Sequence, residues 1–540
     1  MKSENQYNKQ QVPIIDLFAG PGGLAEGFSS VKENEVGFFK VKLSIEKDED
    51  AHKTLELRSF YRQFTSSTLP DEYYEMLRES DSGKRDTKRQ LLYKKFDFAY
   101  KEAQLEAWKA TLGHEDFPSE LIDNRITEAL NGFKNWVLIG GPPCQAYSLV
   151  GRSRVGGINI KDHRVYLYKQ YLRIIAVHQP AVFVMENVKG LLSAKLGDLK
   201  IFDSIIEDLS DPATLFPESK SPKYRIFSLV KSEVSENKDY LIKSELYGIP
   251  QKRHRVILMG IREDLNVYPG TLSTSIEVSL KSVIGNLPVI RSGLNRTFVS
   301  SQIIDEKKKR TYKNVIDSPQ LWENYVNLYK QEVLSWDGFE NFIDTDFINS
   351  PGFNSGGEFL NMKSNFNENH PLKAWYTDTK MTGITHHHSR SHLDTDLLRY
   401  LFASMFTISN KRFPRLTDYE KYSDHLMPDH DNAKTGKFDD RFRVQLPDIP
   451  ATTVTSHISK DGHYFIHYDP KQCRTFTVRE ASRVQTFPDN YLFCGSRTSQ
   501  YHQVGNAVPP YLAYQIAKIV KDVMIQIETT SFLDTINTTI

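Results

Sequence analysis

Short apolar runs, each closed by glycine, proline or an acid, recur through the first half of the chain and set the expected fold. Val12-Pro13-Ile14-Ile15-Asp16-Leu17-Phe18 reads as a strand that runs into Ala19-Gly20-Pro21-Gly22-Gly23 and then a helical pattern from Leu24 to Phe28. Val41, Leu43 and Ile45 alternate in a second strand that ends at Glu46. Trp136-Val137-Leu138-Ile139 is apolar throughout, as a strand buried on both faces would be, and it stops at Gly140-Gly141-Pro142-Pro143-Cys144-Gln145. A helix with Leu167, Tyr171, Ile174 and Ile175 on one face breaks before Pro180. The next strand, Ala181 to Met185, ends in Glu186-Asn187-Val188. Strands alternating with helices in this way predict an α/β fold with a parallel sheet.

Between these runs the pattern changes. Residues 51–134 are highly charged, with little strand character; Leu92, Phe96, Ala99, Ala103 and Ala107 have helical spacing and predict an amphipathic annex helix with a solvated charged face. Ile249 to Gly260 reads as a strand with Gln251, Arg253 and Arg255 on one face. From about Arg262 to Asp448 regular periodicity is lost, which predicts a second, irregular domain. Order returns at Thr477 to Phe487. A closing helix carries Leu512, Ile516, Ile519, Val520 and Val523 on one face, with a tail expected to fray after Met524.

Composition narrows the class. The chain has 540 residues and a net charge of +1, so any nucleic-acid surface must come from local segregation of charge. Its three cysteines, Cys144, Cys473 and Cys494, include no CxxC pair, which argues against a disulfide framework and fits a reducing compartment. The N-terminus lacks a secretory apolar segment and no run is long enough to span a bilayer, so the expected location is cytoplasmic, without a membrane partner. His386, His387, His388 and His392 invite a metal reading, but no acid-histidine motif accompanies them; a polar contact cluster or helix end is favoured, and no metal is expected.

Candidate chemistry sits at the strand ends. A thiol presented by a glycine-proline turn is either a nucleophile or a small buried hydrophobe, and Cys144 taken alone leaves the two level. The glycine loop after the first strand permits close approach of a ligand, and an acid such as Glu46 at the second strand tip commonly holds ribose hydroxyls. Glu186 falls on the same sheet edge. The basic, glycine-bearing segment Ser148 to Gly157, with Arg152 and Arg154, is suited to closing over a polyanion.

Five motifs in order make the pattern specific: Asp16-Leu17-Phe18-Ala19-Gly20-Pro21-Gly22-Gly23, Gly141-Pro142-Pro143-Cys144-Gln145, Glu186-Asn187-Val188, Gln251-Lys252-Arg253-His254-Arg255 and Gln503-Val504-Gly505-Asn506-Ala507-Val508-Pro509. This set resembles the DNA (cytosine-5)-methyltransferases of bacteria and archaea. The resemblance implies a Rossmann-like domain binding S-adenosylmethionine (SAM) over residues 12–262, with the annex at 51–134. A target-recognition domain would span 263–470, and 471–526 would complete the catalytic domain. Phe18, Gly20, Gly22, Gly23, Glu46, Pro142, Asn506 and Val508 would form the cofactor site. Lys47 replaces the aromatic residue that usually follows the ribose-binding acid, and no acidic motif for the adenine side is visible.

The chemistry implied is specific. Cytosine C5 is a poor nucleophile, and a Cys144 thiolate adding at C6 would activate it. Glu186 would protonate N3 if burial raises its pKa, while Arg255 would hold O2 and position Glu186 with support from Arg253 and Gln251. The target cytosine of a double-stranded DNA site would have to be flipped out, with Gln145, Ser148, Arg152 and Arg154 contacting the DNA. Asp162 and Arg164 match a further motif at the loop's return. A role in restriction-modification or a related defence system follows, with a cognate endonuclease as a partner. The rivals are an RNA (tRNA) cytosine-5 methyltransferase on the same scaffold and a non-catalytic DNA-binding paralogue. A plain small-molecule methyltransferase would leave Pro-Pro-Cys-Gln and Glu-Asn-Val unexplained.

Overall fold

A computed structural model of the protein describes residues 11–33, 36–143, 163–196, 199–304, 307–342, 354–362, 366–428 and 440–539. Its central sheet is built from the apolar runs of the first half of the chain. The strands are β1 (Val12–Leu17), β2 (Phe39–Glu46), β3 (Ala107–Lys109), β4 (Val137–Gly140), β5 (Val182–Val188), β6 (Tyr224–Ser228), β7 (Leu241–Lys243) and β8 (His254–Arg262). Strands β3-β2-β1-β4-β5 lie side by side and parallel, and β8 pairs antiparallel with β5 and with both β6 and β7. Strand order reverses between β1 and β4, so the carboxyl ends of these two strands frame the crevice where doubly wound sheets bind ligands. Because β8 runs the other way, its first residues arrive at that same edge. This is how Arg255 comes to lie beside the end of β5.

Both faces of the sheet are covered, which explains why its strands read as continuous apolar runs. Helix α1 (Gly23–Ser29) and the long C-terminal helix pack on one face, burying Ile14, Val41, Ile139 and Val184 against Leu24, Phe28, Leu512 and Ile516. On the other face Leu17, Leu43, Leu138 and Met185 are buried among Ile126, Tyr171 and Ile175.

The periodicity reading needs three local corrections. Val41 faces one side of the sheet while Leu43 and Ile45 face the other, because the β1–β2 register steps from Ile14–Val41 to Ile15–Leu43 and leaves Lys42 as a bulge. The annex does contain a strand: β3 pairs with Ser44–Glu46, but three residues ending at a sheet edge are too short to show alternation. The single annex helix is two, Ser82–Lys95 and Asp97–Glu106, broken at Phe96 (φ −114°, ψ 53°); only Leu92, Ala99 and Ala103 of the expected stripe bury on them. These helices and α2 (Glu49–Arg62) bury Leu57, Phe60, Tyr73 and Leu92 with Leu492 and Cys494 from the far end of the chain.

Residues beyond 262 carry more regular structure than their lost periodicity announced. A long hairpin joins β9 (Gly293–Ile304) to β10 (Lys307–Asn314), and two helices, α3 (Pro319–Leu334) and α4 (Asp394–Asn410), form a separate core around Trp322, Val326, Leu401, Phe402 and Tyr419. Between this core and the main sheet lies a third apolar cluster, in which Val283, Tyr376 and Ile384 meet Val454, Val484, Phe487 and Val504. The closing helix α5 (Pro510–Thr539) does not end near Met524: it continues as helix, with Ile527 still buried in the core. Among the described residues no helix is long and apolar enough to cross a membrane.

Candidate active site

Among the described residues, the predicted site residues of the first half take their positions from strand ends, and Asn506 and Val508 from the end of the helix Arg497–Asn506 and the turn after it. The turn after β1 needs left-handed backbone at Phe18 (φ 56°), Gly20 (φ 56°) and Gly22 (φ 91°), strained for Phe18 and free for the glycines. A Cβ added to Gly20 would meet nothing within 4 Å, so open space adjoins the loop there. At Gly23 the reason for glycine is different. A Cβ there would lie 2.2 Å from the carbonyl oxygen of Val508, so the start of α1 and the Asn506-Ala507-Val508 turn touch backbone to backbone. That contact joins two motifs almost five hundred residues apart in sequence at one place. Asn506 itself is exposed beside it, and Val508 is buried.

Glu46 ends β2 next to this loop. Its Oε2 accepts from Gly20 N (2.8 Å) and its Oε1 from Lys47 N and Asp48 N (2.9 and 2.8 Å), which fixes the carboxylate at the crevice rim. The next wall is the end of β3, where Ala110 N donates to Glu46 O (3.1 Å). The sequence reading missed this wall together with the strand that builds it. It also passed over Asp16, which is fully buried within β1 and whose two carboxylate oxygens have no hydrogen-bond partner among the described residues. Burial holds its carboxyl well above the ordinary range; nearby Glu46 and Glu106 push the same way, and Arg62 opposes them.

The second half of the site lies across the switch point. Asn187 Nδ2 donates to the carbonyl of Pro142 (3.3 Å), tying the end of β5 to the turn after β4. A Cβ on Gly141 would stand 3.1 Å from Glu186 Oε2, so the backbone leading to Cys144 passes directly against this carboxylate. Arg255 Nε lies 2.7 Å from Glu186 Oε1, an ion pair in which both side chains keep a small exposed edge (15% and 13%). A second bond, Arg255 NH1 to His254 O (2.9 Å), steadies the guanidinium.

The arginine motif departs from a single strand with one polar face. Gln251-Lys252 pairs with Ala451-Thr452, the chain breaks at Arg253, and β8 begins at His254. Arg253 is buried, and its NH1 donates to Val454 O (2.7 Å) and Gly505 O (3.3 Å). Burial, reinforced by the Arg255 charge and opposed by Glu186, pushes its pKa well down. Gln251 is equally enclosed, donating to Val484 O and Gln485 Oε1 and accepting from Val454 N. Both side chains thus clamp segments some two hundred residues further along the chain, around Val454, Val484 and Gly505, while Arg255 alone of the three contacts Glu186.

Cys144, Gln145, Ser148, Arg152, Arg154 and Asp162 lie outside the described residues, and so does the side chain of Arg164. The other two cysteines, Cys473 and Cys494, are buried free thiols whose pKa values burial pushes up, as suits inert packing residues. The histidine run is a strand, Gly383–His388, and not a helix end. His386 bonds Glu358 and Phe493 N, His387 bridges Thr477 and Pro288 O, and His392 bonds Tyr400 and Thr475. Among the described residues no cluster of histidine, cysteine and acids has a metal-holding arrangement.

The segment after Cys473 makes the joint between the two halves. Arg474 pairs with Glu480 inside the protein (2.6 Å), Arg479 holds Thr385 O (3.0 Å), and Arg483 reaches both Asp489 (2.7 Å) and Val283 O (2.9 Å).

Comparison with known proteins gives the family. Residues 107–216 and 236–522 match the model of the C-5 cytosine-specific DNA methylase family, which takes in the Gly141 turn, Glu186, Arg255 and Asn506. A type II methyltransferase of Bacillus paralicheniformis is 32% identical over 526 residues, covering 95% of this chain and 99% of that protein. A type II methyltransferase of Desulfomicrobium norvegicum is 26% identical, over 94% of this chain and 87% of its own length. A DNA (cytosine-5-)-methyltransferase of Aeropyrum pernix is 25% identical, over 73% and 83%. With its switch-point crevice, its Glu186–Arg255 pair and these matches along most of its length, the chain belongs to the C-5 cytosine-specific DNA methylase family.

Proposed function

We propose that this protein methylates C5 of a flipped-out cytosine in a specific duplex DNA site, using S-adenosylmethionine and a covalent Cys144 adduct. The observation that carries the reading is the passage of Gly141 against Glu186, itself paired with Arg255. It delivers the backbone of the Cys144 turn to a carboxylate and a guanidinium at one sheet edge. The cysteine thiolate adds at C6 of the ring while Glu186 passes a proton to N3, so that charge does not accumulate on the ring. Arg255 orients Glu186 and holds the base oxygen O2; Arg253 and Gln251 act as positioning residues through the backbone they clamp. Addition makes C5 electron-rich, so that it would take the methyl group that bound S-adenosylmethionine supplies, the donor being left as its neutral thioether; loss of the C5 proton and of the N3 proton with elimination of Cys144 then restores the aromatic ring.

The residues present fit S-adenosylmethionine. Open space beside Gly20, the anchored carboxylate of Glu46, and the Gly22-Gly23 loop closed by Asn506 and Val508 make a site for a ribose and its attached groups, with Phe18 and Pro142 as neighbouring walls. When bound, the cofactor supplies an electrophilic methyl group. We assign residues 263–470 to recognition of the DNA, 12–262 with 471–526 to catalysis, and Gln145, Ser148, Arg152 and Arg154 to contacts around the extruded base. Relatives named type II methyltransferases support a restriction-modification role, in which a cognate endonuclease cuts the same site when it is unmethylated.

The test compares methyl transfer to duplex DNA and to tRNA, with Cys144→Ala beside the natural protein. Transfer to duplex DNA, abolished in Cys144→Ala while DNA binding persists, is the expected outcome. Activity on tRNA alone would sink the substrate assignment, and normal turnover by Cys144→Ala would sink the thiol mechanism. Bisulfite sequencing of DNA from expressing cells would then give the site.

A further inference from the structure

The hairpin of β9 and β10 is the most strongly charged feature of the molecule that the catalytic assignment leaves unused. Between Arg296 and Asn314 the sequence holds six lysines and arginines against two acids, Asp305 and Glu306, in a chain whose net charge is only +1. The hairpin is anchored at its base. Asp317 accepts from Arg291 NH1 (2.7 Å) and Leu294 N (3.0 Å), Asp394 accepts from Phe298 N (3.3 Å), and Ser391–Leu393 pairs alongside Gly293–Arg296. Among the described residues, the strands beyond Phe298 pair only with each other, after a bulge at Val299, which is 56% exposed. A two-stranded ribbon of this kind is marginal in water on its own, and a long exposed one invites a partner.

The pairing fixes what each face offers. Ser300 stands opposite Thr311, Gln302 opposite Lys309 and Thr297 opposite Lys313, so this face presents hydroxyls, an amide and ammonium groups, with Ile304, opposite Lys307, as an apolar position at its far end. Of these, Gln302, Lys309, Thr311 and Lys313 are exposed. The polar stretch of this face from Thr297 to Gln302 is a poor seat for a protein and a good one for a polyanion with hydrogen-bonding edges. The major groove of B-form DNA admits a two-stranded ribbon; amide and hydroxyl groups read base edges there and lysines reach phosphates.

Building on the proposed methylation of duplex DNA, we infer that the β9–β10 ribbon enters the major groove of the target. In that seat Lys309 and Lys313 neutralise phosphates, while Gln302, Ser300 and Thr311 read base edges. The ribbon is then the part of the recognition region that specifies sequence.

The experiment measures binding of the full-length protein to a duplex carrying its methylated site, as a function of salt, for the natural protein, Lys309→Gln/Lys313→Gln, and Gln302→Ala. Both lysines are exposed, so the double variant should melt at the natural temperature, which separates a binding effect from misfolding. Loss of two phosphate contacts lowers the magnitude of the log-affinity against log-salt slope by about 2. The same loss raises KM for duplex by roughly tenfold or more at fixed salt, rather than falling on kcat. Gln302→Ala is expected to relax the methylated sequence at one base position, read by bisulfite sequencing. An unchanged slope and KM in the double variant, with the natural protein active on duplex DNA, would overturn the ribbon assignment alone. Failure of the natural protein to bind or methylate any duplex would overturn the functional reading along with it.

Discussion

At the scale of single residues the site is a set of side chains held by backbone. Glu46 is fixed by three backbone amides, Arg253 and Gln251 by the carbonyls they grip, and Glu186 by the ion pair with Arg255. Asp16 is the exception, a buried acid without a hydrogen-bond partner among the described residues. Its carboxyl has a raised pKa in the folded state, so between the unfolded value near 3.8 and the folded one the native protein binds the extra proton. The stability this group costs is therefore small in acid and grows as pH rises. Asp16→Asn cannot ionise, and its melting temperature is expected to exceed the natural protein's at pH 7 by a margin that shrinks toward pH 4. Each unit of the raised pKa contributes about 1.4 kcal/mol to that margin. A pH-independent difference would show that Asp16 is not the cause.

At the scale of elements, helix α1 and helix α5 form the seam that carries the glycine loop. Gly23 and Gly27, four apart, let α1 lie on the start of α5; a Cβ at Gly27 would come within 2.5 Å of Ala513 Cβ and Pro510 O. None of those atoms belongs to a flexible side-chain end, so the helices must separate to admit a methyl group. Gly27→Ala is expected to cost about 1–3 kcal/mol of stability, read by denaturant unfolding, and to weaken cofactor binding measured by calorimetry. Unchanged stability would mean the seam is looser than its geometry. This seam was half legible: the apolar stripe of α5 was plain from Leu512, Ile516 and Val520, but nothing local says that it rests on residues 23–27. β3 was not legible at all, because a three-residue edge strand takes its conformation from pairing with Ser44–Glu46. The hairpin of β9 and β10 was hidden for another reason, since with both faces polar or mixed it has no alternation to detect.

At the scale of the whole molecule, a buried polar layer packs the histidine run against residues 474–483. His387 and His392 are enclosed in it, and burial pushes their pKa values down to about 4 and about 3. Burial, with the Arg474 charge behind it, lowers that of His467 as well. The unfolded chain protonates these rings below an ordinary pKa of about 6.5 while the native state resists. The native protein is therefore most stable above that pH and loses stability as the pH falls through it, each neutral ring approaching about 1.4 kcal/mol per pH unit. Glu480 and Glu358 act in the same sense: Arg474 stabilises the Glu480 carboxylate and His386 the Glu358 carboxylate against burial, and both must take up protons on acid unfolding. Melting temperatures between pH 7.5 and about pH 5 are expected to fall steeply, and His387→Gln is expected to flatten that fall. A flat profile in the natural protein would refute the account.

The sequence by itself determined the parallel sheet, the order of its strands' functional ends and the family. Runs such as Val137–Ile139 and the turns that close them are local, and a parallel sheet buried on both faces demands them. It also pointed to Glu46 and Glu186, because the carboxyl ends of parallel strands share one edge, and to Arg255 through the motif that carries it. What only the tertiary structure decided depends on contacts between distant segments. The Val508 carbonyl resting on Gly23 is one such contact, Gly141 passing against Glu186 another, and the burial of the histidine run against residues 474–483 a third. Arg253 and Gln251 turn inward for the same reason, since the carbonyls they serve belong to residues some two hundred positions away. Periodicity registers which face of an element is apolar; it holds no information about which other element will cover that face.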